Sequence, residues 1–137
     1  TLPQTDTCTP GSFLFLYDQH SFLLFEIDGN GSVWNCKGEQ LRKLHDHRFF
    51  RPDMGISNVC ITNRHDALIS VCQSEDSNGK RSVQMHTSCV ASGECITKLN
   101  STMLDCDLKT VSCLFYDDTQ QQLFVGTETG DVIAVGN

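Results

Sequence analysis

The chain has 137 residues, room for one ordinary domain, and its ten Lys and Arg against seventeen Asp and Glu leave a net charge of −7. That balance argues against a general electrostatic hold on nucleic acid or on an anionic membrane, since both want clustered positive charge. Apolar residues make up 39% and charged ones 20%, which excludes a solvated disordered chain, and no apolar run approaches the about 18 residues of a membrane helix.

Helical periodicity is nearly absent. After an N-terminal segment, residues 1–11, short apolar stretches rich in Val, Ile, Phe and Leu alternate with polar turns, the pattern of many short antiparallel strands. The first group runs Phe13–Tyr17, turn Asp18-Gln19-His20, then Ser21–Ile27. The turn Asp28-Gly29-Asn30-Gly31 leads into a stretch opening Ser32-Val33-Trp34, and Gly38-Glu39 precedes a last strand ending at Leu44. Residues 45–55 read as a connecting loop. The second group repeats the plan over 56–99: Ser57–Thr62, a polar turn from Asn63 to Asp66, Ala67–Cys72, the polar turn Ser74–Arg81, and a stretch opening Ser82-Val83. The third spans 100–137, with Thr110–Tyr116, the turn Asp117–Gln120, Gln121–Thr127 and Asp131-Val132-Ile133. Pro3, Pro10 and Pro52 all lie outside these apolar stretches, as strand interiors require.

The groups are copies of one unit. Gly38-Glu39-Gln40-Leu41-Arg42-Lys43-Leu44 matches Gly93-Glu94-Cys95-Ile96-Thr97-Lys98-Leu99, 55 positions later. The Ser-Val stretches lie 50 positions apart, and Val132 follows Val83 by 49. Each unit is therefore a four-stranded antiparallel meander of about 45–55 residues, the size of a propeller blade. Asp, Asn and Gly supply the positive φ that its hairpins need.

On these residues the chain resembles the WD40-repeat β-propeller family. Asp28 stands six residues before Trp34, the spacing of that family's turn Asp and strand Trp, and Gly38-Glu39 precedes the outer strand. The resemblance implies an all-β fold of four-stranded antiparallel blades, with Asp28, Trp34 and His47 in structural roles. The carboxylate would be tied to the indole through a hydrogen-bonded network, and His45 or His47 would serve as the His ahead of the second copy's innermost strand. In the second copy the Trp position falls on His86; in the third, Thr129 replaces the Asp and Val135 the Trp. The last stretch, Leu123-Phe124-Val125-Gly126 and Gly130-Asp131-Val132, also resembles quinoprotein-type propellers. The division is then blade 1 over 12–44, an inter-blade loop over 45–55, blade 2 over 56–99 and blade 3 over 100–137, the last without its outer strand. Residues 1–11 supply the outer strand of a neighbouring blade. Closed propellers have about four to eight blades, so three make an incomplete ring, completed by blades of the same protein or of another chain.

Eight cysteines invite a disulfide reading, but Cys60, Cys72 and Cys113 sit inside apolar runs and no C-x-x-C occurs. Reduced thiols in an intracellular protein are expected, with the sequons at Asn30 and Asn100 taken as chance matches. Cys106, between Asp105 and Asp107, should have a raised thiol pKa from like charge and is a poor nucleophile. His45-Asp46-His47, two His on one strand face with Cys36 upstream, is the most metal-like cluster, but it falls short of three or four ligands; no metal is expected. His20 and His65 hold matching turns, a sign of repeat architecture rather than catalysis.

No phosphate-binding loop or nucleophile elbow occurs, so no catalytic residue is assigned, no cofactor is expected and the chain is read as no enzyme. Arg48, Phe49, Phe50 and Arg51 combine the Arg and aromatic chemistry of binding hot spots and are the candidate partner-binding residues, with packing of both Phe side chains at the blade junction as the competing reading. The expected function is a non-enzymatic protein–protein interaction scaffold, part of a larger protein or complex. The alternatives are a quinoprotein-type propeller associated with an enzyme and a purely architectural subunit. Other proteins are the expected partners; nucleic acid and membrane are not.

Overall fold

The computed structural model describes residues 10–16, 20–50, 59–62 and 66–136. They form three antiparallel sheets. The first is β1 (Pro10–Leu16), β2 (Ser21–Glu26), β3 (Asn30–Asn35) and β4 (Gln40–Arg48), in that spatial order. The second is β5 (Val59–Ile61), β6 (Ala67–Glu75), β7 (Arg81–Cys89) and β8 (Cys95–Asn100), also in chain order. The third has three strands, β9 (Val111–Asp117), β10 (Gln122–Thr127) and β11 (Val132–Gly136), with β10 in the middle. Three consecutive meanders, the last without a fourth strand among the described residues, are the incomplete propeller that the repeat implies. The N-terminal segment expected to pair with a neighbouring blade lies, through residue 9, outside the described residues, as does His65.

The hairpins share one local device. Asp28 accepts the backbone N–H of Asn30, Asp76 those of Asn78 and Lys80, and Asp117 those of Thr119 and Gln120. A carboxylate that satisfies its own turn's backbone makes the reversal cheap. The polar stretch Ser74–Arg81 is shorter as a turn than its sequence implies. β6 runs to Glu75 and β7 begins at Arg81, with the two residues paired across the strands.

Alternation along the strands separates two cores. One lies between the first and second blades. Leu16, Leu23, Phe25, Val33 and Leu44 of the first meet Leu68 and Val90 of the second. The other lies between the second and third blades, where Ile69, Val71 and Met85 meet Val111, Leu123 and Val125. A helical connection absent from the strand-only reading of the sequence fills its edge. The short helix α1 (Ser101–Leu104) is capped by the Asn100 side chain, which accepts the Met103 N–H at 2.9 Å, and ends where Asp105 turns left-handed. A 3-10 turn, Leu108–Thr110, follows. Leu104 and Leu108 are buried in the same cluster.

The two outward faces are uncovered in part. On β1, Phe13 points away from the second blade, is 67% exposed and meets Phe22 edge-on with ring centroids 6.3 Å apart. On the far side of the third blade, Phe115 is 63% and Val132 72% exposed, and Phe115 lies against Phe124 at 6.4 Å.

Candidate functional site

The stretch expected to be a loop begins as strand. β4 continues four residues past Leu44 to Arg48, and Phe49 adds an antiparallel bridge to Cys72 of the second blade. The extension is not regular. Lys43 pairs with Ser32 and Arg48 with Asn30, so five residues of β4 span two of β3. Asp46 takes a left-handed φ of 52° within this bulge, a conformation that Asp tolerates better than most residues. The bulge corrects the expectation that His45 and His47 share a face: His45 is exposed, whereas His47 is turned inward and 2% exposed.

There His47 ties the two blades together. Its Nδ1 lies 2.6 Å from Ser88 Oγ on β7 and its Nε2 contacts Ser70 Oγ on β6, both serines buried. A neutral imidazole has one donor and one acceptor nitrogen, and two hydroxyls can satisfy both. Burial, and then the neighbouring His86 ring at 6.1 Å, push the His47 pKa down to about 3. His86 stands at the aligned Trp position. Its pKa is also lowered, chiefly by burial, and its Nδ1–H donates to the backbone carbonyl of Asp46. Among the described residues no group of three His, Cys, Asp or Glu gathers in metal-ligating range. Cys36 sits apart, its thiol donating to the His20 carbonyl.

Among the described residues no hydrogen bond links Asp28 to Trp34 as the resemblance implies. The Asp28 carboxylate is consumed locally by the backbone N–H and side-chain amide of Asn30, while the indole N–H donates to Ser32 Oγ at 2.8 Å. The turn satisfies its own acceptor, and a serine on the same strand face satisfies the indole.

Of the four candidate partner-binding residues, Phe49 is a packing residue. It is 3% exposed and stacks on Phe25 with centroids 3.9 Å apart. The bridge to Cys72 holds it beneath the strand, and this burial removes it from any surface. Phe50 is half-buried against the core between the second and third blades, and Arg51 lies outside the described residues. Arg48 is exposed, with its Nε donating to the Asp28 carbonyl at 2.9 Å.

Arg48 borders a polar cleft of about 270 Å³ between the first two blades. Arg81, Glu75, Lys98, His86 and Asp46 line it with Arg48. Lys98 pairs with Asp46 at 3.3 Å. The sequence points to none of Arg81, Lys98, Ser70 or Ser88. The one available signal is Ser70, a hydroxyl inside the apolar run Ala67–Cys72, which burial obliges to find a partner.

The thiols are poor nucleophiles where buried. Cys72 is pushed up to about 12, chiefly by burial. Cys106 is raised as expected, but burial outweighs the like charges of Asp107 and Asp105. Cys36, Cys60, Cys72, Cys89, Cys95, Cys106 and Cys113 are free thiols.

No curated protein matches the chain. Among solved structures, the WD40 repeats of RRP9 match with a TM-score of 0.65 at 12% identity, over 99% of this chain and 38% of that one. The structure of U3-55K matches at 0.60 and 11% identity, over 100% of this chain and 42% of that one. The fold is therefore that of WD40 blades, and the chain spans less than half the length of these neighbours. A family model described as "Domain of unknown function (DUF7899)" matches residues 1–135, and the chain belongs to that family.

Proposed function

We propose that this chain is part of a WD40-like propeller acting as a non-enzymatic protein-interaction scaffold in an intracellular setting, and that blades outside it cover its two end faces. The observation that carries the reading is the pair of apolar outward faces, with Phe13 at one end and Phe115 and Val132 at the other, each 63–72% exposed. Water contact at such aromatic surface is unfavourable by about 25 cal/mol per Å², and large exposed patches mark interfaces. The solved neighbours support it, since they continue well beyond the length matched here. Free thiols and the absence of any long apolar helix among the described residues are compatible with this setting. Arg48 is the surface residue retained from the candidate partner-binding set.

Light scattering during size exclusion, with circular dichroism on the peak, tests the reading. The purified chain should be β-rich and self-associate through its end faces, and Phe13→Ser with Phe115→Ser should reduce that association. A folded, monodisperse monomer of 15.3 kDa that is indifferent to both substitutions would overturn it.

A further inference from the structure

We propose that the cleft between the first two blades receives one anionic side chain, carboxylate or phosphate, from an extended acidic segment of a partner protein. This rests on the scaffold reading and adds the chemistry of the partner. Two guanidiniums line the cleft from different blades, Arg48 at the end of β4 and Arg81 at the start of β7. Among the described residues neither has a carboxylate within ion-pair distance. Arg48 is anchored by its Nε on the Asp28 carbonyl, which orients the group, and among the described residues its two Nη atoms have no hydrogen-bond partner. A planar fork held in this way suits the paired oxygens of a carboxylate or phosphate.

The remaining charges limit the site to one anion. Lys98 is already matched by Asp46, and Glu75, paired across the strands with Arg81, stands at the rim. His47 and His86 line the cleft as well, but their ring nitrogens are already held by Ser70, Ser88, the Asp46 carbonyl and Gln84, and both have lowered pKa values, so they add no positive charge near neutral pH. In a chain of net charge −7, two guanidiniums facing one cavity with no carboxylate partner among the described residues are the local exception that would steer an acidic partner. A volume of about 270 Å³ accommodates one side-chain head group, not a folded surface, so the fit is to an extended segment.

Fluorescence anisotropy with a labelled hexaglutamate peptide, and with the same peptide carrying one central phosphoserine, tests this, with hexalysine as control and inorganic phosphate as competitor. Thermal melts would check that each exposed-residue variant folds. The expected result is binding of one or both acidic peptides, weakened about tenfold by Arg48→Gln and by Arg81→Gln and strengthened by Glu75→Gln. No binding of either peptide overturns the proposal, as does equal affinity in both folded Arg variants. Binding of inorganic phosphate without either peptide also overturns it, in favour of a free-phosphate site. A chain that binds neither peptide yet associates through its end faces keeps the scaffold reading and loses this one.

Discussion

The two blade junctions solve the same packing problem with different chemistry. Between the second and third blades the buried contact is mainly apolar, with Ile69, Val71 and Met85 against Val111, Leu123 and Val125, and Leu104 and Leu108 filling the margin. Between the first and second, an apolar region around Leu16, Leu23 and Leu68 gives way to a polar one. There His47 contacts Ser70 and Ser88, and the His45 N–H donates to the Gly93 carbonyl at 2.7 Å. The Arg42 guanidinium reaches the Val90 carbonyl at 3.1 Å. An apolar junction gains stability with area but is tolerant of exchange among residues of similar volume. A polar one fixes a particular register, because every buried donor and acceptor must meet its own partner.

Substitutions can separate the two. The largest effect should come from the apolar junction, where Leu108→Ala is expected to cost about 2–5 kcal/mol by removing a buried side chain that the connection cannot replace. Urea unfolding would show it, and a loss under about 1 kcal/mol would mean that this junction is loosely filled. Next is Gly93→Ala. Gly93 has φ +78°, and a Cβ there would run into the Lys43 carbonyl oxygen. Strain of about 1–3 kcal/mol is expected, and the first two blades should be pushed apart, read as faster hydrogen exchange at the His45 amide with the third blade's amides unchanged.

Acid should act on the polar junction. His47 binds a proton near pH 6.5 when unfolded but only near pH 3 when folded. The unfolded chain therefore holds more protons between these values. The contribution is fully present above about pH 6.5 and declines as pH falls through the window, by up to about 1.4 kcal/mol per pH unit. The stability–pH slope between pH 6 and 4 should flatten in His47→Gln, and an unchanged slope would remove His47 from the account. The smallest effect is expected from Arg42→Gln, about 0.5–1.5 kcal/mol for one partly buried hydrogen bond, measured by the same urea titration.

Much of the architecture was legible because a repeat multiplies weak signals. Gly38-Glu39 and Gly93-Glu94 mark equivalent turns, and the apolar pairs around Asp18–His20 and Asp117–Gln120 mark equivalent hairpins. Polar specifics were less legible. Asp28 and Trp34 stand at the family spacing, but hydrogen bonding is decided by the nearest satisfied geometry, and Asn30 and Ser32 were nearer. The turn inward of His47 depends on a bulge at Asp46, which the alternation of a regular strand cannot reveal. Phe49 reads equally as surface hot spot or core from its type alone, and only the bridge to Cys72 places it under the sheet. Arg81 closes a polar turn in the sequence, and only its pairing with Glu75 at the start of β7 places it beside the cleft.

The chain-order pairing of strands within each blade has a temporal consequence. Every strand in the first two sheets pairs with its neighbour in sequence, so each hairpin can close as soon as its second strand leaves the ribosome, and such local contacts form quickly. His47 is different. Its two serine partners lie 23 and 41 residues further on, so during synthesis the imidazole must wait, hydrated, until β6 and then β7 arrive. The first blade can thus assemble early, while its docking onto the second is held back until the nascent chain has delivered both hydroxyls.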